Sequence, residues 1–257
     1  MLNKADVVIL AVVAASLVVS AQVKAAATGW KVIVKVEARA TGAALEFESR
    51  QLSVSLPDGS ATIEYITDGR AARSVTSGGF FGFDDGTISL APTGTSPVYV
   101  LNPQSRTYYI SSAAASSGQP GSAKVSFNAT GVFRTILGHR VERVTASYHQ
   151  TMAVPAGSGR SETKEAGAEF ETWCTRDVTV PVAMVTMMGV TPRLYLGSPQ
   201  FRAACPLALE SVVKMSVFPD FEFVSTTQSI SKVSGEPAGF FEIPTGYRKV
   251  AAGGGSR

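Results

Sequence analysis

The residues that could do chemistry in this sequence are few and far apart. Histidine is the usual general base near neutral pH, and the chain has only His139 and His149. His139 follows a glycine in a predicted turn and His149 lies in a strand-like stretch, which favours surface positions for both. The sequence has no G-x-S-x-G elbow, H-E-x-x-H helix or glycine-rich phosphate loop. We therefore predict a non-catalytic protein; the rival interpretation is a hydrolase with an unrecognised Ser or Asp nucleophile in a buried polar cluster around a histidine.

Metal and cofactor binding also lack the residue clusters that they need. Two dispersed histidines and two cysteines give no zinc-ligand set. Asp84-Asp85-Gly86 could touch calcium, but it lacks the spaced carboxylates of a calcium loop and is typical of an exposed turn. The expectation is no metal ion and no cofactor.

The two cysteines, Cys174 and Cys205, follow a segment with the features of a secretory leader. Residues 1–27 carry Lys4, then an uncharged run from 7 to 19, then small residues where a signal peptidase would cut. A membrane anchor needs roughly 20 apolar residues, and this run is shorter. We expect a cleaved leader, a periplasmic or extracellular protein without stable membrane insertion, and a disulfide between the cysteines in that oxidising compartment.

Composition limits the classes of partner. The formal net charge is +3, and removing the leader with Lys4, Lys24 and Asp6 leaves +2. This excess is too small to indicate nucleic acid or an anionic membrane surface. Apolar residues make up 45% of the chain and charged residues only 17%, below the usual quarter. Such a chain has either a generous core or an apolar surface that binds something.

Two apolar features are candidates for that surface. A glycine-rich loop carries three phenylalanines that could form a lid over a ligand or pack into the core, and a predicted helix around 181–190 carries three methionines on one face that suit either packing or varied apolar ligands. The candidate ligand-binding residues are Phe80, Phe81, Phe83, Met184, Met187 and Met188.

The elements that would position these residues are mostly strands. Apolar residues alternate with polar ones along several stretches, broken at short intervals by Gly, Pro, Asn and Asp, which is typical of antiparallel β-structure. No linker separates two cores, so residues 28–250 are expected to form one domain and 251–257 a flexible tail. One such alternating face comprises Trp30, Val32, Val34, Val36 and Ala38.

Several short motifs occur in order along the chain. They are Asn102-Pro103 with Arg106-Thr107-Tyr108-Tyr109, Thr135-Ile136-Leu137-Gly138-His139, Glu171-Thr172-Trp173 with Asp177, and Phe241-Glu242-Ile243-Pro244-Thr245-Gly246-Tyr247-Arg248. Together they resemble the motifs of the bacterial secreted family called domain of unknown function 4412, and the most specific is the closing F-E-I-P-T-G-Y. That family is similar to periplasmic lipoprotein carriers of the LolA and LolB type. The resemblance implies a curved antiparallel sheet or incomplete β-barrel, with one or two helices across a hydrophobic concave face.

These observations predict an exported envelope protein that binds a hydrophobic ligand in a concave apolar cleft without catalysis. The ligand class is a lipid, an acyl chain or a lipid-modified protein, and no nucleic acid is expected. The alternative is an envelope protein–protein interaction module that uses an exposed sheet edge or the phenylalanine loop. A filled interior would favour this alternative over the carrier.

Overall fold

The computed structural model describes residues 29–40, 60–79, 84–92, 97–111, 124–156, 160–187, 198–216 and 218–251. The predicted leader, the phenylalanines of the glycine-rich loop and Met188 lie outside these ranges. In the described part of the chain, no helix is long and apolar enough to span a membrane.

The fold is mainly β, as the alternating pattern predicts. The strands are β1 Gly29–Ala40, β2 Ser60–Thr67, β3 Ala72–Ser77, β4 Ile88–Ala91, β5 Tyr99–Asn102, β6 Thr107–Ile110, β7 Lys124–Ile136, β8 His139–Ala156, β9 Arg160–Thr175, β10 Leu207–Met215, β11 Phe218–Val233 and β12 Arg248–Lys249. The helices within the described ranges are α1 Val182–Met187 and α2 Pro199–Ala204.

All twelve strands form one sheet, in the order β12-β6-β5-β4-β3-β2-β1-β11-β10-β9-β8-β7. The order consists of two meanders, β1 to β6 and β7 to β11. They are joined where β1 pairs with β11 over its whole length, from Gly29 opposite Val233 to Ala40 opposite Phe221. Each meander extends away from this join, so β7 is the last of the described strands on one side of the sheet.

The sheet curves around its core. A flat sheet would separate β6 from β7 by ten strand spacings, about 48 Å, which is as long as the chain from Ser111 to Lys124 could reach even when fully extended, roughly 47 Å. In addition, α1 follows β9 along the chain but contacts β2, β3 and β4. One core cluster accordingly contains both Val141 of β8 and Val100 of β5. The predicted curved, open antiparallel sheet is confirmed.

Burial follows the predicted alternation along the strands. Along β10, Leu209 and Val213 are buried, while Glu210 and Lys214 between and beside them are at least partly exposed. Val32 and Val34 of β1 are buried in the same way. The register of β1 against β11 shifts between Ile33 and Val34, and this irregularity is not visible in the sequence.

The chain after β11 runs to the far side of the sheet. It ends in β12, which pairs parallel with β6, so that the Arg248 N–H donates to the Arg106 carbonyl at 3.0 Å. On the way, the Phe240 ring lies 4.5 Å from the Arg73 guanidinium of β3. This C-terminal segment, part of the closing motif, therefore covers the β6 edge.

The helices lie between the two cysteines. The predicted helix at 181–190 is observed from Val182 to Met187; Pro181 directly precedes it, and 188–190 lie outside the described residues. Ser198 caps α2 by accepting a hydrogen bond from the Phe201 N–H, and Pro199 occupies the first turn. This Ser-Pro signal for α2 is present in the sequence but is missed by a search for apolar periodicity.

The predicted disulfide between Cys174 and Cys205 is present, with a Cα–Cα distance of 4.9 Å. Cys174 lies in β9, and Cys205 follows α2 directly. Both cysteines are buried in the same apolar cluster as Phe201. The bond therefore fixes both ends of the helical excursion to the sheet.

Removing this disulfide should lower the free energy of unfolding. The bond spans a sequence separation of 31 residues, and the loss of unfolded-chain entropy for such a loop corresponds to about 3–4 kcal/mol. A Cys174→Ala/Cys205→Ala variant should unfold at a lower urea concentration than the oxidised wild type in circular dichroism. Reduced wild type is the matched control; equal midpoints for the oxidised protein and the variant would contradict the expectation.

A buried tyrosine should make the fold sensitive to alkali. Tyr65 of β2 is 2% exposed, and desolvation by burial raises the pKa of its hydroxyl well above the ordinary value. The Tyr65 hydroxyl ionises less readily in the folded than in the unfolded chain. The stability of the folded state is therefore unaffected by this ionisation below about pH 10 and falls as the pH rises further. Urea midpoints from pH 8 to 11 should fall less steeply for Tyr65→Phe than for wild type. Identical slopes for Tyr65→Phe and wild type would refute the effect.

Candidate functional site

The inner face of the sheet, defined as the face covered by α1 and α2, is apolar across five neighbouring strands. Strand register places one residue from each strand side by side in a row. The members of this covered row are Phe127, Ala146, Phe170, Val213 and Phe223. Phe201 of α2 packs on the row, with its ring centroid 5.9 Å from that of Phe127 in an edge-to-face arrangement.

A second apolar row lies beside the first, one step further along the inner face. Its members, called here the inner apolar row, are Val125, Tyr148, Ala168 and Met215, which are direct register partners on β7, β8, β9 and β10. All four are half-buried and pack against the edge of the covered cluster. The inner face is thus closed under α2 and partly open beyond it.

The structure places the predicted methionines against the sheet. Met184 has no solvent exposure and packs in the cluster that contains Val32, Tyr65 and Leu207, so its side chain belongs to the core. Met187, at the end of α1, is half-buried against the same cluster. The three phenylalanines of the glycine-rich loop and Met188 lie outside the described residues.

The opposite, outer face carries a concavity of about 660 Å³ across β7 to β11. Residues on this face include Ser126, Asn128, Thr145, Ser147, Glu169 and Lys214. Two of its carboxylates are held by cations: Glu222 lies 3.0 Å from Lys214, and Glu171 lies 2.7 Å from Arg143. The hydrogen bond to Glu222 raises the pKa of the Lys214 ammonium. This face is a solvated, ion-paired surface.

His149 occupies the surface position that the sequence favours, whereas the His139 side chain is only 24% exposed. The His139 Nδ1 atom lies 3.7 Å from the Asp177 carboxylate, but that carboxylate is 54% exposed. His149 is exposed and lies against the β9 backbone, where a Cβ at position 167 would come within 2.8 Å of its Nδ1 atom. The buried hydroxyls of Thr172 and Ser211 hydrogen-bond each other at 3.0 Å. The described residues around either histidine do not form the buried polar cluster that a hydrolase would need.

Trp173, which belongs to one of the sequence motifs, is held by the neighbouring strands. The Arg134 guanidinium lies 3.9 Å from its ring centroid and also pairs with Glu210. The indole is half-buried against the core cluster. This arrangement is a structural anchor between β7, β9 and β10. Among the described residues, no group of three or more His, Cys, Asp or Glu side chains could hold a metal ion.

The inner apolar row was not predicted from the sequence. Alternation along each strand identifies the apolar face, but the row exists only because three registers align Val125, Tyr148, Ala168 and Met215. Those registers depend on tertiary pairing and on the bulges in β7 and β10. The signal for the row in the sequence is the alternation of apolar and polar residues along each strand.

Comparison with known proteins gives distant structural neighbours. No protein-family model matches the chain, and no curated protein sequence matches it significantly. An uncharacterised conserved protein from Thermus thermophilus aligns with 11% identity and a TM-score of 0.43, over 93% of this chain and 99% of its own. A LolA superfamily protein from Nitrosomonas europaea aligns with 9% identity and a TM-score of 0.36, over 84% and 90%.

A third neighbour is the protein PNGF-II, with 13% identity and a TM-score of 0.41 over 88% of this chain but only 31% of its own length. At such low identities and TM-scores these neighbours give no basis for transferring an activity. The structural neighbours therefore include a LolA superfamily protein, while the expected membership of the domain of unknown function 4412 family finds no matching family model.

The two methionines of α1 should differ in their effect on stability. Met184 is fully buried, so Met184→Ala should cost about 2–5 kcal/mol through lost burial and the cavity left behind. Met187→Ala should cost clearly less, because its side chain is half exposed to solvent already. Urea unfolding of both variants measures the difference. Equal losses would show that the end of α1 is as much a part of the core as its middle.

Proposed function

We propose that this protein is an exported, non-catalytic binding protein that holds a hydrophobic group, such as an acyl chain, on the inner face of its sheet. The observation that carries the proposal is the inner apolar row. Its four side chains are contiguous in register, apolar in character apart from the Tyr148 hydroxyl, and only half-buried. An apolar ligand laid along the row would remove that area from water.

Burial of apolar area alone supplies enough free energy to hold such a ligand, and no catalytic group is needed. Burial of apolar area contributes roughly 25 cal/mol per Å², so covering on the order of 200 Å² contributes about 5 kcal/mol. The covered row next to it supplies a rigid wall, because Phe201 and the disulfide fix α2 against Phe170 and Val213. A ligand on the inner apolar row would therefore bind to a surface that is already organised.

The disulfide supports export. Both cysteines are oxidised and buried, which suits an oxidising compartment such as the periplasm or the extracellular medium. The predicted leader at 1–27 fits the same location. The protein would then meet lipids, acyl chains or lipid-modified proteins of the cell envelope.

The phenylalanine loop remains a proposed part of the site. It connects β3 and β4, and both of these strands contact α1. Met187 at the end of α1 is half-buried on the same side of the sheet. Phe80, Phe81, Phe83 and Met188 are therefore proposed to approach the bound ligand from the loops beside α1.

A charge on the inner apolar row should abolish binding. Tyr148→Asp would place an unpaired carboxylate against the ligand, and its desolvation should weaken binding of a fluorescent fatty-acid probe by roughly tenfold or more. Ser147→Asp is the matched control, because Ser147 is the next residue on β8 and lies on the outer face. Probe titration and urea unfolding should be measured for both variants.

Ala168→Asp provides a second test on the neighbouring strand. It should weaken probe binding to the same degree as Tyr148→Asp while the protein stays folded. Unchanged probe binding in folded Tyr148→Asp and Ala168→Asp would show that the row is not the ligand site. Equal weakening by Ser147→Asp would show that net charge, and not the inner face, controls binding.

The second candidate function is a protein–protein interaction module. The observation that favours it is the filling of the inner face by Met184, Val185 and Phe201, which leaves part of the interior occupied by the protein's own side chains. Native mass spectrometry of the purified mature protein distinguishes the candidates. A co-purified lipid supports the carrier, and a stoichiometric protein partner without lipid supports the module.

A further inference from the structure

The inner apolar row has a small residue between two large ones. Register places Ala168 of β9 directly between Tyr148 of β8 and Met215 of β10. The alanine side chain ends at a methyl group, whereas the side chains on both sides of it are long. Ala168 keeps part of its surface open to solvent, so its two large neighbours do not close over it. The row therefore has a gap at Ala168, with Tyr148 and Met215 as its walls.

The width of this gap matches a single polymethylene chain. Neighbouring strands of a sheet lie about 4.8 Å apart, so β8 and β10 are separated by about 9.6 Å across β9. Apolar heavy atoms in contact are about 4.0–4.5 Å apart, so one chain that touches both walls needs about 8–9 Å between them. A fused ring system, or two chains side by side, needs more room. The gap therefore selects a slender apolar group.

The covered row closes one end of the gap. Two residues beyond Ala168 on β9 is Phe170, which is 5% exposed and packs in the same cluster as Phe201 of α2. On the flanking strands, the register partners of Phe170 are Ala146 and Val213, which are also buried. The buried side chains of three neighbouring strands therefore form a wall across the gap. A chain in the gap runs along β9, and its inner end stops at this wall.

Backbone hydrogen bonds hold the floor and one wall of the gap together. The Gly167 N–H donates to the Ser216 hydroxyl oxygen at 2.8 Å, and the Ser216 N–H donates to the Gly167 carbonyl at 2.9 Å. These two residues directly adjoin Ala168 and Met215 along the chain. The backbone therefore fixes the distance between β9 and β10 at the gap. The Met215 side chain itself is flexible and polarizable, so it can adapt to the shape of a chain beside it.

We propose that the gap at Ala168 holds one unbranched acyl chain along β9, with its methyl end against Phe170 and its polar head group directed away from α2. This inference rests on the proposed function and specifies the class of ligand and its orientation. The methyl end of an acyl chain is fully apolar, so the covered row can bury it without leaving a polar group unpaired. The head group stays in water and keeps its hydrogen bonds there. Ring lipids such as sterols are too wide for this site.

Filling the gap should remove the site. Ala168→Leu places a branched side chain on its floor and should weaken binding of dodecanoate, measured by isothermal titration calorimetry, by roughly tenfold or more. Ala129→Leu is the matched control, because Ala129 is exposed on the same face of β7 but lies beyond the covered row. This control should bind dodecanoate as wild type does. Urea unfolding checks that both variants are folded, and Ala168→Val replaces Ala168→Leu if the larger side chain prevents folding.

Two pairs of ligands test the orientation of the chain and the shape of the site. A dodecyl chain with a bulky fluorophore at its carboxyl end should bind wild type roughly tenfold more tightly than one with the same fluorophore at its methyl end. The reason is that only the first ligand presents a free methyl end to Phe170. Dodecanoate should also bind more tightly than a soluble sterol sulfate, whose ring system is wider than the gap.

The outcomes of these measurements separate this inference from the proposed function. Wild type that binds none of the four ligands would overturn both. Dodecanoate binding that Tyr148→Asp abolishes and Ala168→Leu leaves unchanged would support the function but show that the chain does not lie in the gap. Equal affinity for the two positions of the fluorophore would refute the orientation. Equal affinity for dodecanoate and the sterol sulfate would refute the selection of a slender chain.

Discussion

A single sheet must bury one of its faces, and in this protein the covering comes from the excursion between Cys174 and Cys205. That excursion contains α1 and α2, two helices of six residues each. Helices this short have little stability of their own in water, so they depend on packing and on the tether. The disulfide fixes the excursion at both ends. The curvature of the sheet brings β2, β3 and β4 into contact with α1.

The two faces of the β7–β11 half therefore have different characters. The outer face carries the ion pairs of Lys214 with Glu222 and of Arg143 with Glu171, which stay at the surface where water screens them. The inner face is mainly apolar from β7 to β11; its polar groups include the hydrogen-bonded Thr172 and Ser211 hydroxyls, Ser225 beside them and the Tyr148 hydroxyl. A ligand that prefers an apolar surface can distinguish these faces, and the proposed function depends on that difference.

The sequence predicts the local features of this fold well. Period-two alternation predicts β1 and β10, and the methionine spacing predicts α1. The two cysteines that follow a predicted leader predict the disulfide. Features that depend on pairing between distant strands are not accessible from a single sequence. The inner apolar row and the edge position of β7 both follow from strand order and register, which local propensity does not encode.

The join between β1 and β11 sets the order in which the molecule can fold. Gly29 pairs with Val233, so β1 can pair with β11, and the two meanders can become one sheet, only after β11 has formed. Contacts of such long sequence separation make folding slow, because a long loop must close before they form. A chain that completes its sheet only when its end has been synthesised stays without this join until then, and under the proposed export this delay would keep it in the unfolded form that a narrow channel admits.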